Sequence, residues 1–274
     1  MKFFLAVPFA LFFFGIIEIQ AGIVPTAKLS PEANKAFDDY VARHEADTAR
    51  MFAATGAMWM DAASEAQRRE LFSGKPFSEL RNAVNFPTGQ IQDLFGTARV
   101  EGVTLASVLR TMQSYSRYPE FFKPDIAKTS AKEQPDSKPG AQHFDVTMQV
   151  FRETTWMDVA FDTEYDTIYR KLGADRATTV SRSKSIREYR DAHKLQQGTL
   201  PEGEDHGFLW RTYTAWTLRE RDGGVDMELH SFSLSRSIPS VMSWWANKTS
   251  RSAAEKIISQ TADAVRRRGS NNSD

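Results

Sequence analysis

The 274-residue chain contains no cysteine, which excludes disulfides, thiolate metal centres, cysteine nucleophiles and lipid attachment through a cysteine. It also lacks a charge bias. Its 35 basic and 35 acidic residues cancel, so nothing recommends a nucleic-acid partner. Phosphate-loop, dinucleotide-glycine and nucleophile-elbow motifs are absent, and His44-Glu45 has Thr48 where a zinc-protease motif needs its second histidine. The five histidines (His44, His143, His193, His206, His230) show no ligand spacing. Neither a cofactor nor a metal is expected.

A long apolar run is missing too. The run from Phe3 to Ile17 follows Lys2 and leads to Ala21, the order of a charged segment, an apolar core and a cleavage point in an export signal. It is shorter than the roughly 20 apolar residues that span a bilayer. The expectation is a signal peptide over residues 1–21, cleaved after Ala21 although Ile19 is larger than the ideal residue there, and a soluble domain delivered to the periplasm or beyond.

The remaining chain is well patterned. Residues 22–85 read as a helical preface: Ser30-Pro31 starts a helix, and Phe37, Tyr40, Val41, His44, Met51 and Phe52 recur near the helical period. A second short helix carries Ala62, Ala66 and Leu71 and ends near Gly74. Ile91 to Val100 reads as a strand, and Thr104 caps a helix whose stripe is Leu105, Val108, Leu109, Met112 and Tyr115. Lys123 to Gly140, with three prolines, reads as a flexible hairpin loop.

From His143 onward, alternation marks antiparallel strands. Phe144, Val146, Met148 and Val150 share one face, as do Val159, Phe161, Tyr165 and Tyr169. Further strands cover Ala177 to Tyr189, Phe208 to Arg221 and Val225 to Arg236, the last two joined by Asp222-Gly223-Gly224. Pro239 stops the final strand. Ser252 and Glu255 form a capping box before the stripe Ala254, Ile257, Ile258, Thr261 and Val265 of a closing helix, and a polar tail occupies 269–274. Arg266 to Arg268 suit the last turn of that helix.

Strand, helix, long antiparallel strands and a closing helix is the order of the α+β helix-grip fold. The residues extend the resemblance: Phe86, Pro87 and Gly89 leading into Phe95-Gly96-Thr97-Ala98, then Asp205 to Arg211, Glu220 to Val225 and Leu234 to Pro239. The chain resembles an exported bacterial group of the START-like superfamily, also called SRPBCC or polyketide cyclase and lipid transport, over residues 86–268. The resemblance implies a curved sheet wrapped around the closing helix, with a cavity between them for a hydrophobic small molecule or lipid. Membrane contact is then expected to be transient. After Pro239, Trp244 to Thr249 replaces the group's longer apolar loop, so the cavity mouth is expected to differ.

Candidate ligand contacts are Arg211 and Tyr213 on one strand, Glu228 and His230 on the next, and Trp244 as a gate. If Arg211 and Glu228 were neighbours facing the cavity they would orient a ligand's polar group. A structural ion pair or a solvated face is the plainer reading of the same residues. Glu228 and His230, two apart on a strand, share a face and suit acid and base roles in a cyclase or hydrolase. Asp205-His206-Gly207 reads first as a turn. The alternative to a ligand carrier is an envelope protein-interaction module without a ligand.

Overall fold

A computed structural model describes residues 25–153, 158–237 and 255–268. The signal segment, Trp156, Pro239, Trp244, Trp245, Thr249, Ser252 and the 269–274 tail lie outside the described residues. The preface supplies helices α1 (Pro31–His44), α2 (Arg50–Thr55), α3 (Trp59–Ala62) and α4 (Glu65–Phe72). Ser30 caps α1 by accepting the Ala33 amide at 3.1 Å. Between α1 and α2 the chain widens into one π-helical turn, Glu45–Ala49.

One eight-stranded antiparallel sheet follows, in the order β1-β2-β8-β7-β6-β5-β4-β3. Its strands are β1 (Phe77–Phe86), β2 (Gly89–Glu101), β3 (Ile126–Glu133), β4 (Ala141–Glu153), β5 (Asp158–Lys171), β6 (Arg176–Glu188), β7 (Arg211–Arg221) and β8 (Gly224–Ser235). Helix α5 (Leu105–Met112) and the short α6 (Tyr118–Phe121) connect β2 to β3, and residues 255–268 form the closing helix α7. One antiparallel sheet with a closing helix laid across it is the helix-grip arrangement expected from the order of elements. No described helix is long and apolar enough to cross a membrane.

Two expectations are corrected at the sheet edges. Residues 77–85, placed in the helical preface, form β1 together with Phe86, and 126–133, placed in a flexible loop, form β3. Both are edge strands covered on few sides, and β3 is largely exposed, so neither displays the alternation that a half-buried strand needs. The β7–β8 hairpin follows the sequence closely: Asp222 and Gly223 adopt φ of 49° and 76°, the pair of positive values that a type I′ turn requires.

The sheet has helices on both sides. On the concave side Ala98, Trp216, Leu218, Met227, Leu229, Val146 and Tyr169 pack against α5 and against Ile258, Ala262 and Val265 of α7. Ile258 lies directly over Gly96, where a Cβ would sit in ordinary van der Waals contact with it at 3.4 Å. Arg266 and Arg268 donate to the carbonyls of Gly74 and Arg110, at 3.0 and 3.2 Å, and so pin the end of α7. On the outer side Ala33, Phe37 and Val41 of α1 pack on Ile91, Tyr213, Phe232 and Leu234. Met51, placed with the preface's apolar face, is exposed instead.

Candidate functional site

Register decides which face each candidate residue occupies. Across β7 and β8, Tyr213 pairs with Phe232, Ala215 with His230, Thr217 with Glu228, and Arg211 with Leu234. Because alternate residues share a face, Arg211, Tyr213, Glu228 and His230 all lie on the outer side, opposite Ile258 and the closing helix. The supposed Arg211–Glu228 neighbourhood therefore does not exist. Arg211 instead donates to Asn34 and Asp38 of α1 at 2.8 and 2.7 Å, and Tyr213 donates its hydroxyl to Glu45 at 3.1 Å. Trp244 lies outside the described residues.

Glu228 holds the preface down. Its carboxylate accepts the Met60 amide at 3.4 Å at the start of α3. Burial pushes its pKa from 4.5 up to about 7, against the opposing pull of the Trp59 and Met60 amides. His230 sits 4.5 Å from His44 and 5.2 Å from Phe95, ring centre to ring centre. Burial drives both imidazoles toward the neutral form, His44 to about 4 and His230 well below its ordinary value. The acid–base reading of Glu228 and His230 thus loses its premise of a cavity between sheet and closing helix, since both side chains lie under the preface.

Beside His230 there is a real cavity on this outer side. A groove of about 340 Å³, partly open to solvent, lies between His44 at the end of α1, Glu45 of the π-helical turn and Arg170, Thr178, Val180, Arg182, Ala215, Thr217 and His230 of β5 to β8. Arg182 is paired to Glu45 and lies over the Tyr213 ring at 5.4 Å. The Thr217 hydroxyl is buried without a hydrogen-bond partner.

The concave side divides into two halves. Where α7 crosses, side chains fill the space. Toward the other end of β4 to β8 lie Met148, Tyr165, Ser181, Ser183, Thr214 and Ser231, which the register sets on one face and which are only half-buried. Thr167 and Ser181 hydrogen-bond each other there, and the Ser183 hydroxyl donates to the Thr212 carbonyl at 3.2 Å. A second cavity of about 350 Å³ opens past α5, between Leu109, Gln113, Gln142, Tyr169 and the 137–140 turn.

Two polar clusters complete the picture. Asp205 behaves as the turn residue its position suggested, accepting the Gly207 amide at 2.7 Å and the Trp210 indole at 3.0 Å. His143, Asp145 and Asp166 bring possible metal-ligand atoms within 4.8 Å of one another, a grouping that residue spacing missed because it forms across the β4–β5 register. Asp136 holds Nδ1 of His143 at 2.8 Å, and Lys184 and Gln134 hold Asp145 at 3.0 and 2.7 Å. The network closes on itself as ion pairs.

No protein-family model and no curated protein sequence matches the chain. Among solved structures it is similar to a STAR-related lipid transfer protein fragment from Xanthomonas axonopodis, at 17% identity over 68% of this chain and 98% of that chain, TM-score 0.46. It is also similar to human STARD10, at 10% identity over 67% and 72% of the two chains, TM-score 0.44. A third similarity is to the Zhui aromatase/cyclase from Streptomyces sp. R1128, at 11% identity over 66% and 93%, TM-score 0.36. What this chain binds rests on its own residues.

Proposed function

We propose that the chain is an exported carrier that binds one hydrophobic small molecule or lipid on the open half of its concave face. The observation that supports this is the half-buried strip of Met148 and Tyr165 beside the hydroxyls of Ser181, Ser183, Thr214 and Ser231. Apolar and aromatic area next to a few polar groups is the composition of a small-molecule site. It favours an amphipathic ligand, with its apolar body on Tyr165 and Met148 and a polar end on the hydroxyls.

Burying about 300 Å² of apolar ligand surface contributes roughly 7 kcal/mol. Association costs of similar size leave an affinity near micromolar, so exchange with a membrane or a partner is quick. Export through residues 1–21 belongs to the same reading, because an aqueous envelope space is where an apolar molecule needs a carrier. Native mass spectrometry of protein purified from its own envelope is the test. A one-to-one adduct of lipid or small-molecule mass is expected, and a bare polypeptide mass under conditions that preserve a control lipid carrier contradicts the reading.

A further inference from the structure

The outer groove plays no part in the concave-face reading, since it lies on the opposite side of the sheet. Two rows of residues form its floor. Arg170, Thr178 and Thr217 are consecutive across β5, β6 and β7, and Val180, Ala215 and His230 are consecutive across β6, β7 and β8. The first row is polar and the second mainly apolar. His44 at the end of α1 and Glu45 of the π-helical turn roof them, over a partly open volume of about 340 Å³.

Charge in the groove is unbalanced. Glu45 is already engaged by Arg182 and by the Tyr213 hydroxyl. Arg170 is exposed at the rim, and among the described residues it has neither an ion-pair nor a hydrogen-bond partner. The two imidazoles carry no charge near neutral pH, because burial holds both below their ordinary range. One cation is therefore unmatched. The Thr217 side chain is 5% exposed, and its hydroxyl has no partner, a deficit that a ligand oxygen or a carried water can relieve.

We propose that this groove binds a small organic carboxylate, with its anion on the Arg170 guanidinium and the Thr178 and Thr217 hydroxyls and its apolar body on Val180 and Ala215. A single unmatched guanidinium fits one carboxylate through its planar fork. The cavity is too large for a bare inorganic anion, and its second row is too apolar to suit one.

Isothermal titration with benzoate tests this on the full chain. Saturable one-to-one binding is expected, with benzamide at least tenfold weaker. Arg170→Gln is expected to weaken benzoate at least fivefold without changing the thermal midpoint, because no described partner loses a contact. Thr217→Val removes an unpaired hydroxyl, so it should fold as stably as the parent and bind benzoate more weakly. No saturation by about 10 mM benzoate, a range in which such weak ligands are measurable, overturns the proposal. So does unchanged affinity in Arg170→Gln. Benzoate binding that is lost in Ser231→Trp and kept in Arg170→Gln also overturns this site, and it leaves the concave-face reading standing.

Discussion

Replacing Glu228 by Gln isolates what the buried carboxyl does under α3. The side chain is 5% exposed, and its pKa is raised from 4.5 to about 7. A folded-state value above the unfolded one means that the folded chain holds the proton more tightly. Its contribution to stability is full below about 4.5 and disappears as pH rises through about 7. Between pH 8.5 and pH 5 that contribution grows by about 2.5 kcal/mol, at about 1.4 kcal/mol for each tenfold in proton affinity. Glu228→Gln keeps an oxygen for the Met60 amide and has no such dependence. The variant should therefore be more stable than the parent at pH 8.5, and that advantage should shrink or reverse at pH 5. Urea unfolding of both proteins at the two pH values measures it. His44 and His230 titrate in both chains, so they cancel in the difference. A gap that stays constant within about 0.5 kcal/mol refutes the placement of Glu228 beneath the preface.

Further perturbations probe other parts of the account. His44 and His230 have folded-state pKa values below 6.5, so their contribution is present above that pH and is lost as pH falls through the folded values. His230→Gln should accordingly flatten the loss of stability between about pH 6.5 and 4, seen by thermal melts across that range. Asp226 is fully buried with Arg99 at 2.8 Å and also holds Arg221 at 2.6 Å. Asp226→Ala removes the buried partner of Arg99, which keeps Glu101 and the Arg221 and Asp222 carbonyls, while Arg221 keeps Asp61. The cost in urea unfolding should therefore fall at or below the low end of the roughly 3–5 kcal/mol seen when a buried pair is broken. Phe37→Ala removes a ring that is 1% exposed between α1 and the sheet, and about 3–5 kcal/mol should be lost by the same assay.

How much of this was legible in the sequence depended on how many sides of each strand are covered. β4 and β5 present one core face and one polar face, and their alternation showed in Phe144 to Val150 and Val159 to Tyr169. The β7–β8 hairpin was legible from Asp222-Gly223, a purely local signal. β2 and the first half of β8 are buried on both faces, so their alternation disappears and with it any clue to which face looks inward. That is why Arg211, Tyr213, Glu228 and His230 could be grouped on strands yet not placed under the preface. One clue did exist, since the stripe of Phe37 and Val41 on α1 needed a surface to bury against, and the outer face of the sheet supplies it. The groove arises from cross-strand register over four strands and the His143 cluster from register between β4 and β5, which no residue spacing within one strand encodes.

The central claim, a hydrophobic ligand on the concave face, is tested most directly by comparing two variants on opposite sides of the sheet. Ser231→Trp places an indole on the open half of the concave face, and Arg211→Gln alters only the outer contact with α1. Native mass spectrometry after incubation with a lipid extract should show the adduct abolished in Ser231→Trp and retained in Arg211→Gln. Retention in Ser231→Trp with loss in Arg211→Gln contradicts the account and moves the binding site beneath the preface.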